Sequence, residues 1–126
     1  MTVYADNAAT TQMSDSVLKA MMPLLTDIYG NPSSLHSVGQ IAKEHLEAAR
    51  ETVAECIGAD PKEIYFTSGG SEADNQAIRS AAYIGARKGK KHIISSKFEH
   101  HAVLHTLDAL KKEGFTVTLL DVYSNG

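Results

Sequence analysis

"KEIYFTSGGSEADNQAI", residues 62–78, decides the fold class of this chain. Its first half is β-branched and aromatic and is bounded by Pro61 and Gly69, the pattern of a short buried strand. Gly69 and Gly70 interrupt it, and an acidic, alanine-containing helical pattern follows at once. The spacing predicts a strand over Lys62–Thr67, a tight turn, and a helix from about Ser71. Two glycines permit positive φ and close approach of a ligand to the backbone. The free N–H groups at a helix start favour an anion, to which Ser71 adds a hydroxyl donor. In open α/β sheets ligands sit beyond the carboxyl ends of strands, where this turn falls. The spacing is neither GxGxxG nor the P-loop and no lysine follows, which argues against a nucleotide. The plain alternative is a strand–helix turn with Ser71 as N-cap and Asp74 in the N3 slot.

Toward the C-terminus the same order repeats. "SEADNQAIRSAAYIGARKG" is a small-residue helix, "KHIISSK" a strand, "HHAVLHTLDALKKEG" a helix and "FTVTLLDV" a third strand. Strand, helix, strand, helix, strand implies crossover connections and a parallel α/β sheet. Three strands make a thin parallel sheet, since both faces and both edges need cover. Together with an Asn-Gly turn as the last feature present, this suggests the front end of something longer.

Toward the N-terminus, "SDSVLKAMMPLLTDIY" reads as a helix from about Ser14, with a kink or early break expected near Met22 because Pro23 lies inside it. "GNPSSLHSVG" is turn-rich. "SVGQIAKEHLEAARETVAECIGA" carries the longest helical periodicity, and Gly58 ends it. The organisation expected is a helical segment over 1–61 and the first strands and helices of a larger domain over 62–126.

With 126 residues, a formal charge of −3 and 43% hydrophobic residues, the chain suits one soluble domain or part of one. The acidic balance gives no reason to expect nucleic acid, and no apolar run is long enough to span a bilayer. The N-terminus lacks a secretory signal pattern. The single Cys56 rules out an internal disulfide framework and fits a reducing cytoplasm. It lies near the apolar stripe at a helix C-terminus, where the dipole does not lower a thiol pKa, and reads as a packing residue.

"FEHHAVLH", residues 98–105, starts where the second strand ends, on the rim of Gly70. His100 or His101 could stack on a planar ligand or move protons. His101 and His105 permit a two-histidine metal half-site, to which Glu99 would add a ligand, but nothing completes it at a recognised spacing, so no metal is expected. "DNAATT" and "GNPSSLH" are small and polar. They read either as pocket walls, with Asn31 and His36 in reach of a ligand, or as a terminus and a loop.

"YADNAATT", "GNPSSLHSVG", "FTSGGSEADNQAI" and "EHHAVLHT" occur in that order and at suitable separations. Together they closely resemble the N-terminal third of the cysteine desulfurases, pyridoxal-phosphate enzymes of the class V aminotransferase family, fold type I. The resemblance implies a partial three-layer α/β/α parallel-sheet domain, truncated after the third strand. It implies a parent that converts L-cysteine to L-alanine and enzyme-bound persulfide sulfur for iron–sulfur cluster assembly, as a homodimer that serves a sulfur acceptor or scaffold protein. Gly70 and Ser71 match the family's cofactor-phosphate contacts. His100 matches the histidine that stacks on the pyridine ring and helps with protonation. Asn7 and Asn31 fall in segments that wall the substrate side. The family's Schiff-base lysine lies in an "SxHKxxGPKG" stretch, and no such stretch occurs in these 126 residues. The pyridinium aspartate, the carboxylate-binding arginine and the persulfide cysteine have no counterpart either. The 126 residues are therefore expected to be inactive alone, to bind pyridoxal phosphate weakly or not at all, and to self-associate or rearrange around an unpartnered strand at Lys62–Thr67. The neighbouring readings are a selenocysteine lyase or another class V lyase or aminotransferase, and, from a different class, a non-catalytic assembly or binding module.

Overall fold

Ser14 opens the first helix of the computed structural model, which describes residues 2–125. Its hydroxyl accepts from the Val17 amide, and α1 runs Asp15–Thr26. The break expected at Pro23 does not occur. A proline removes only its own donor, and the amides of Asp27 and Ile28 still reach the Pro23 carbonyl at 2.9 and 2.8 Å. No residue of α1 is buried.

The long α2, Ser37–Ile57, starts at His36 and stops at Gly58, whose left-handed φ of 66° lets the Ala59 amide return to the Ala54 carbonyl. A one-turn 3₁₀ helix, Pro61–Glu63, follows. Here the sequence reading of a strand over Lys62–Thr67 fails. Asp60 accepts from the Lys62 amide at 2.8 Å and Glu63 reaches back to the Asp60 amide at 2.9 Å, a closed capping box that curls the chain. Residues 64–67 then have no regular structure. A strand exists through its ladder, and no neighbouring strand supplies one here.

The chain divides into two compact units, Met1–Tyr65 and Phe66–Gly126. In the second, α3 (Gly70–Arg87) leads through a turn at Gly89 to β1 (His92–Ser96), and α4 (His101–Lys112) returns the chain to β2 (Thr116–Leu120). The two strands are parallel, with His92 opposite Thr116 and Ser96 opposite Leu120. The parallel α/β class holds with two paired strands instead of three. Ala82, Leu110 and Phe115 form its buried core, with Ile78, Ala86 and Ile93 packed around them. That core joins the C-terminal halves of α3 and α4 to the start of β1 and to Phe115, just ahead of β2. The opposite sheet face, with Ile94, is open.

Side-chain links brace this unit. Arg79 and Tyr83 of α3 both bond the carboxylate of Glu113, at 2.9 and 2.7 Å, just past the end of α4. Lys97 and Asp121, beyond the ends of β1 and β2, form an ion pair at 2.6 Å. Among the described residues no helix is long and apolar enough to cross a membrane.

Candidate functional site

A helix that returns a chain to a parallel strand runs opposite to it, so the N-terminus of α4 lies at the carboxyl rim of β1. The C-terminal halves of α3 and α4 pack beside the strand beginnings. Their N-termini, with Gly70, Ser71 and His100, therefore share the other rim, where ligands of such sheets bind.

Gly69 is extended (φ 163°, ψ 179°) and is the N-cap of α3, so the helix begins at Gly70. The positive φ expected of this pair is not used, and Ser71 is not the N-cap. No side chain caps the helix, and its first paired amide is that of Ala73, bonded to the Gly69 carbonyl at 3.1 Å. The amides of Gly70, Ser71 and Glu72 precede any intrahelical acceptor. Gly70 and Ser71 are exposed.

Why two glycines stand here is informative. A Cβ at Gly30 or Gly39 would lie within 2.6 Å of backbone oxygen, and Gly58, Gly89 and Gly114 have positive φ. Neither reason applies to Gly69 or Gly70, where a Cβ would meet nothing within 4 Å. What the missing side chains leave is room in front of uncapped amides, and that donor set fits a phosphate.

His100 is the N-cap of α4. Its Nδ1 accepts from the Ala102 amide at 3.1 Å, so the neutral ring carries its proton on Nε2. The backbone thus fixes both ring and tautomer at the rim. The His100 and His101 ring centres are 6.1 Å apart, those of His101 and His105 5.6 Å. Among the described residues no three of His, Cys, Asp or Glu are placed to hold a metal.

Asn7 and Asn31 belong to the first unit. The Asn7 carbonyl accepts from the Thr11 hydroxyl at 3.4 Å. Asn31 Oδ1 accepts from the Ser33 amide at 2.9 Å, an Asx turn. His36 Nδ1 caps α2 by accepting from Gly39 at 3.3 Å. In "GNPSSLH" these polar atoms shape the loop itself. Cys56 is exposed, against the reading of a packing residue: the flanking Val53 and Ile57 are 40% and 68% exposed, and the burial of α2 is confined to Gly39, Ala42 and Ala54.

Sequence reasoning missed Glu72. Its Oε2 accepts from both the amide and the hydroxyl of Ser68, each at 2.7 Å. These bonds, the amide first, hold its carboxyl below the ordinary glutamate range. The signal was present: with Gly69 as N-cap, Glu72 and not Asp74 takes the N3 slot.

The chain matches the aminotransferase class-V family over residues 3–126. The cysteine desulfurase IscS of Methanosarcina thermophila is 49% identical over 124 residues, covering 98% of this chain and 30% of that protein. A solved NifS-like protein superposes with a TM-score of 0.88 at 42% identity, covering 95% of this chain and 33% of its own. A second structure, SspA in complex with cysteine, gives 0.85 at 41% identity, covering 94% and 34%. The chain therefore spans about a third of the length of these relatives.

Proposed function

Because the chain belongs to the aminotransferase class-V family, we propose that it forms the N-terminal third of a cysteine desulfurase. The complete enzyme removes sulfur from L-cysteine, leaves L-alanine, and carries the sulfur on one of its own thiols as a persulfide. It does so in the cytoplasm, as a homodimer that hands sulfur to an acceptor protein for iron–sulfur cluster assembly.

The observation that carries this reading is the Gly69–Gly70 turn. Neither packing nor dihedral strain calls for glycine there, and uncapped amides lie behind the space it leaves. Gly70 and Ser71 would hold the phosphate of pyridoxal phosphate through backbone N–H groups and the Ser71 hydroxyl. When bound, the cofactor supplies an electron sink for bond breaking in an amino-acid substrate. His100 covers the flat ring. Its tautomer, fixed through Nδ1, leaves the Nε2 proton to be donated and recovered at the rim. Asn7 and Asn31 line the substrate side.

These 126 residues contain no "HKxxGPKG" lysine segment. The segment alone does not desulfurate cysteine and holds the cofactor poorly. Alanine formation from L-cysteine decides this. The full-length protein that carries this segment is expected to produce it, and the 126-residue chain with added cofactor is not. Desulfuration by the short chain would overturn the division of labour. A full-length protein that forms alanine only from selenocysteine would overturn the choice of substrate.

A further inference from the structure

Two adjacent glycines are the most freely rotating pair a chain can contain, yet a phosphate cradle needs amides aimed in fixed directions. At Gly69 and Gly70 neither packing against a Cβ position nor a left-handed turn supplies that restraint. The side-chain restraint comes from either side of the pair. The Thr67 hydroxyl donates to the Gly69 carbonyl at 3.2 Å, and Oε2 of Glu72 takes two donors from Ser68 at 2.7 Å each. The Ser68–Glu72 link closes a small ring around the glycine pair.

The direction of that link matters as much as its presence. A glutamate in the first turn of a helix can fold onto its own helix's free amides and occupy an anion site with its own charge. Glu72 instead reaches backward past the N-cap, and both its bonds are to Ser68. Its charge is engaged by Ser68, and no side chain caps the start of α3.

We propose that Glu72 is a positioning residue that fixes the Ser68–Gly69–Gly70 turn through Ser68 and so aims the phosphate-binding amides. This rests on the reading of Gly70 and Ser71 as the phosphate cradle. Glu72 need not touch the cofactor. It acts as outer partners do around a bound group, by orienting the contacts that touch it.

The test is equilibrium binding of pyridoxal phosphate and of pyridoxal, which lacks the phosphate, to the full-length apoprotein and its variants. Thermal unfolding of each apoprotein is recorded alongside. Glu72→Ala is expected to weaken pyridoxal phosphate roughly ten-fold, the scale for losing such an outer partner, and to leave pyridoxal unchanged. Glu72→Gln keeps an oxygen that accepts from Ser68 and is expected to bind like the parent. Ser68→Ala keeps the amide bond and should fall between them, which preserves the test if Glu72→Ala does not fold. Parent-like binding by Glu72→Ala, equal losses for both ligands, or Glu72→Gln as weak as Glu72→Ala would each overturn the proposal. A parent that binds both ligands equally, or a Ser71→Ala variant without effect, would overturn the cradle itself. If Ser71→Ala weakens only the phosphorylated ligand while Glu72→Ala does nothing, the positioning role alone is lost.

Discussion

Tyr83, in the fourth turn of α3, donates its hydroxyl to Oε2 of Glu113 across 2.7 Å, thirty residues further along the chain. Arg79 Nη1 takes the other oxygen at 2.9 Å, and the Tyr83 ring meets Phe115 edge-on at 6.2 Å. The cluster ties the C-terminal half of α3 to the end of α4. In the reading above its effect on function is indirect: bracing α3 against α4 limits how their starts, with Gly70 and His100, can move apart.

The same bonds make this clamp sensitive to acid. The Tyr83 hydroxyl first, and Arg79 second, hold Glu113 below its ordinary value of 4.5. A carboxylate whose pKa is depressed by folding adds stability that is fully present above its unfolded value and is lost as pH falls through the folded one. Tyr83→Phe keeps the ring and removes the hydroxyl. Its deficit in urea midpoint against the parent is expected to be largest above pH 4.5 and to shrink steadily below it. A deficit that stays constant as pH falls would mean that Glu113 is not the partner that matters.

The backbone of the rim was less legible than the frame around it. Periodicity and the stop signals at Gly58, Gly89 and Gly114 place α2, α3 and α4, because those patterns act within one segment. The strand read at Lys62–Thr67 failed because a strand needs a partner supplied from elsewhere, while the Asp60–Glu63 box acts locally and wins. The N-cap of α3 was placed two residues late, at Ser71 for Gly69, because a glycine N-cap has no side chain to announce it. That shift hid Glu72 and gave the N3 slot to Asp74. The order of elements puts Gly70 and Ser71 at the start of α3 and His100 at the start of α4, at the ends of these helices away from the buried core.

Gly70→Ala separates folding from ligand binding. Gly70 is the first residue of α3, its φ is not positive, and an added Cβ meets no atom within 4 Å. The substitution is expected to leave the protein unharmed or to stabilise it by about 0.4–1 kcal/mol through the unfolded chain. It should also weaken pyridoxal phosphate in the full-length protein by crowding the amides. A destabilised variant, or one with unchanged cofactor affinity, would remove the reason given for this glycine.

Gly39→Ala should behave in the opposite way. Its Cβ would stand 2.6 Å from the Asn31 carbonyl oxygen and 2.7 Å from Ser34. Those atoms belong to the loop that Asn31 braces from within and Gln40 ties to the first turn of α2. The contact is with backbone, so it cannot be relieved by a side-chain rotation. A loss of about 1–3 kcal/mol is expected, measured by chemical denaturation. A loss below a few tenths would show that the loop yields at little cost.

His100 serves as a helix cap and, in the reading above, as a ring over the cofactor. Substitution can divide the two. Alanine removes both, so a loss of about 1 kcal/mol in stability is expected with loss of the ring. Asparagine keeps an acceptor in the N-cap position and should recover most of that stability. It offers no aromatic face, so its cofactor binding and turnover should remain as poor as those of alanine. The comparison is made by denaturant unfolding of the apoprotein and cofactor titration of the same preparations. An asparagine variant that regains function along with stability would reduce His100 to a cap. An alanine variant as stable as the parent would mean that the 3.1 Å bond to Ala102 does not hold the start of α4.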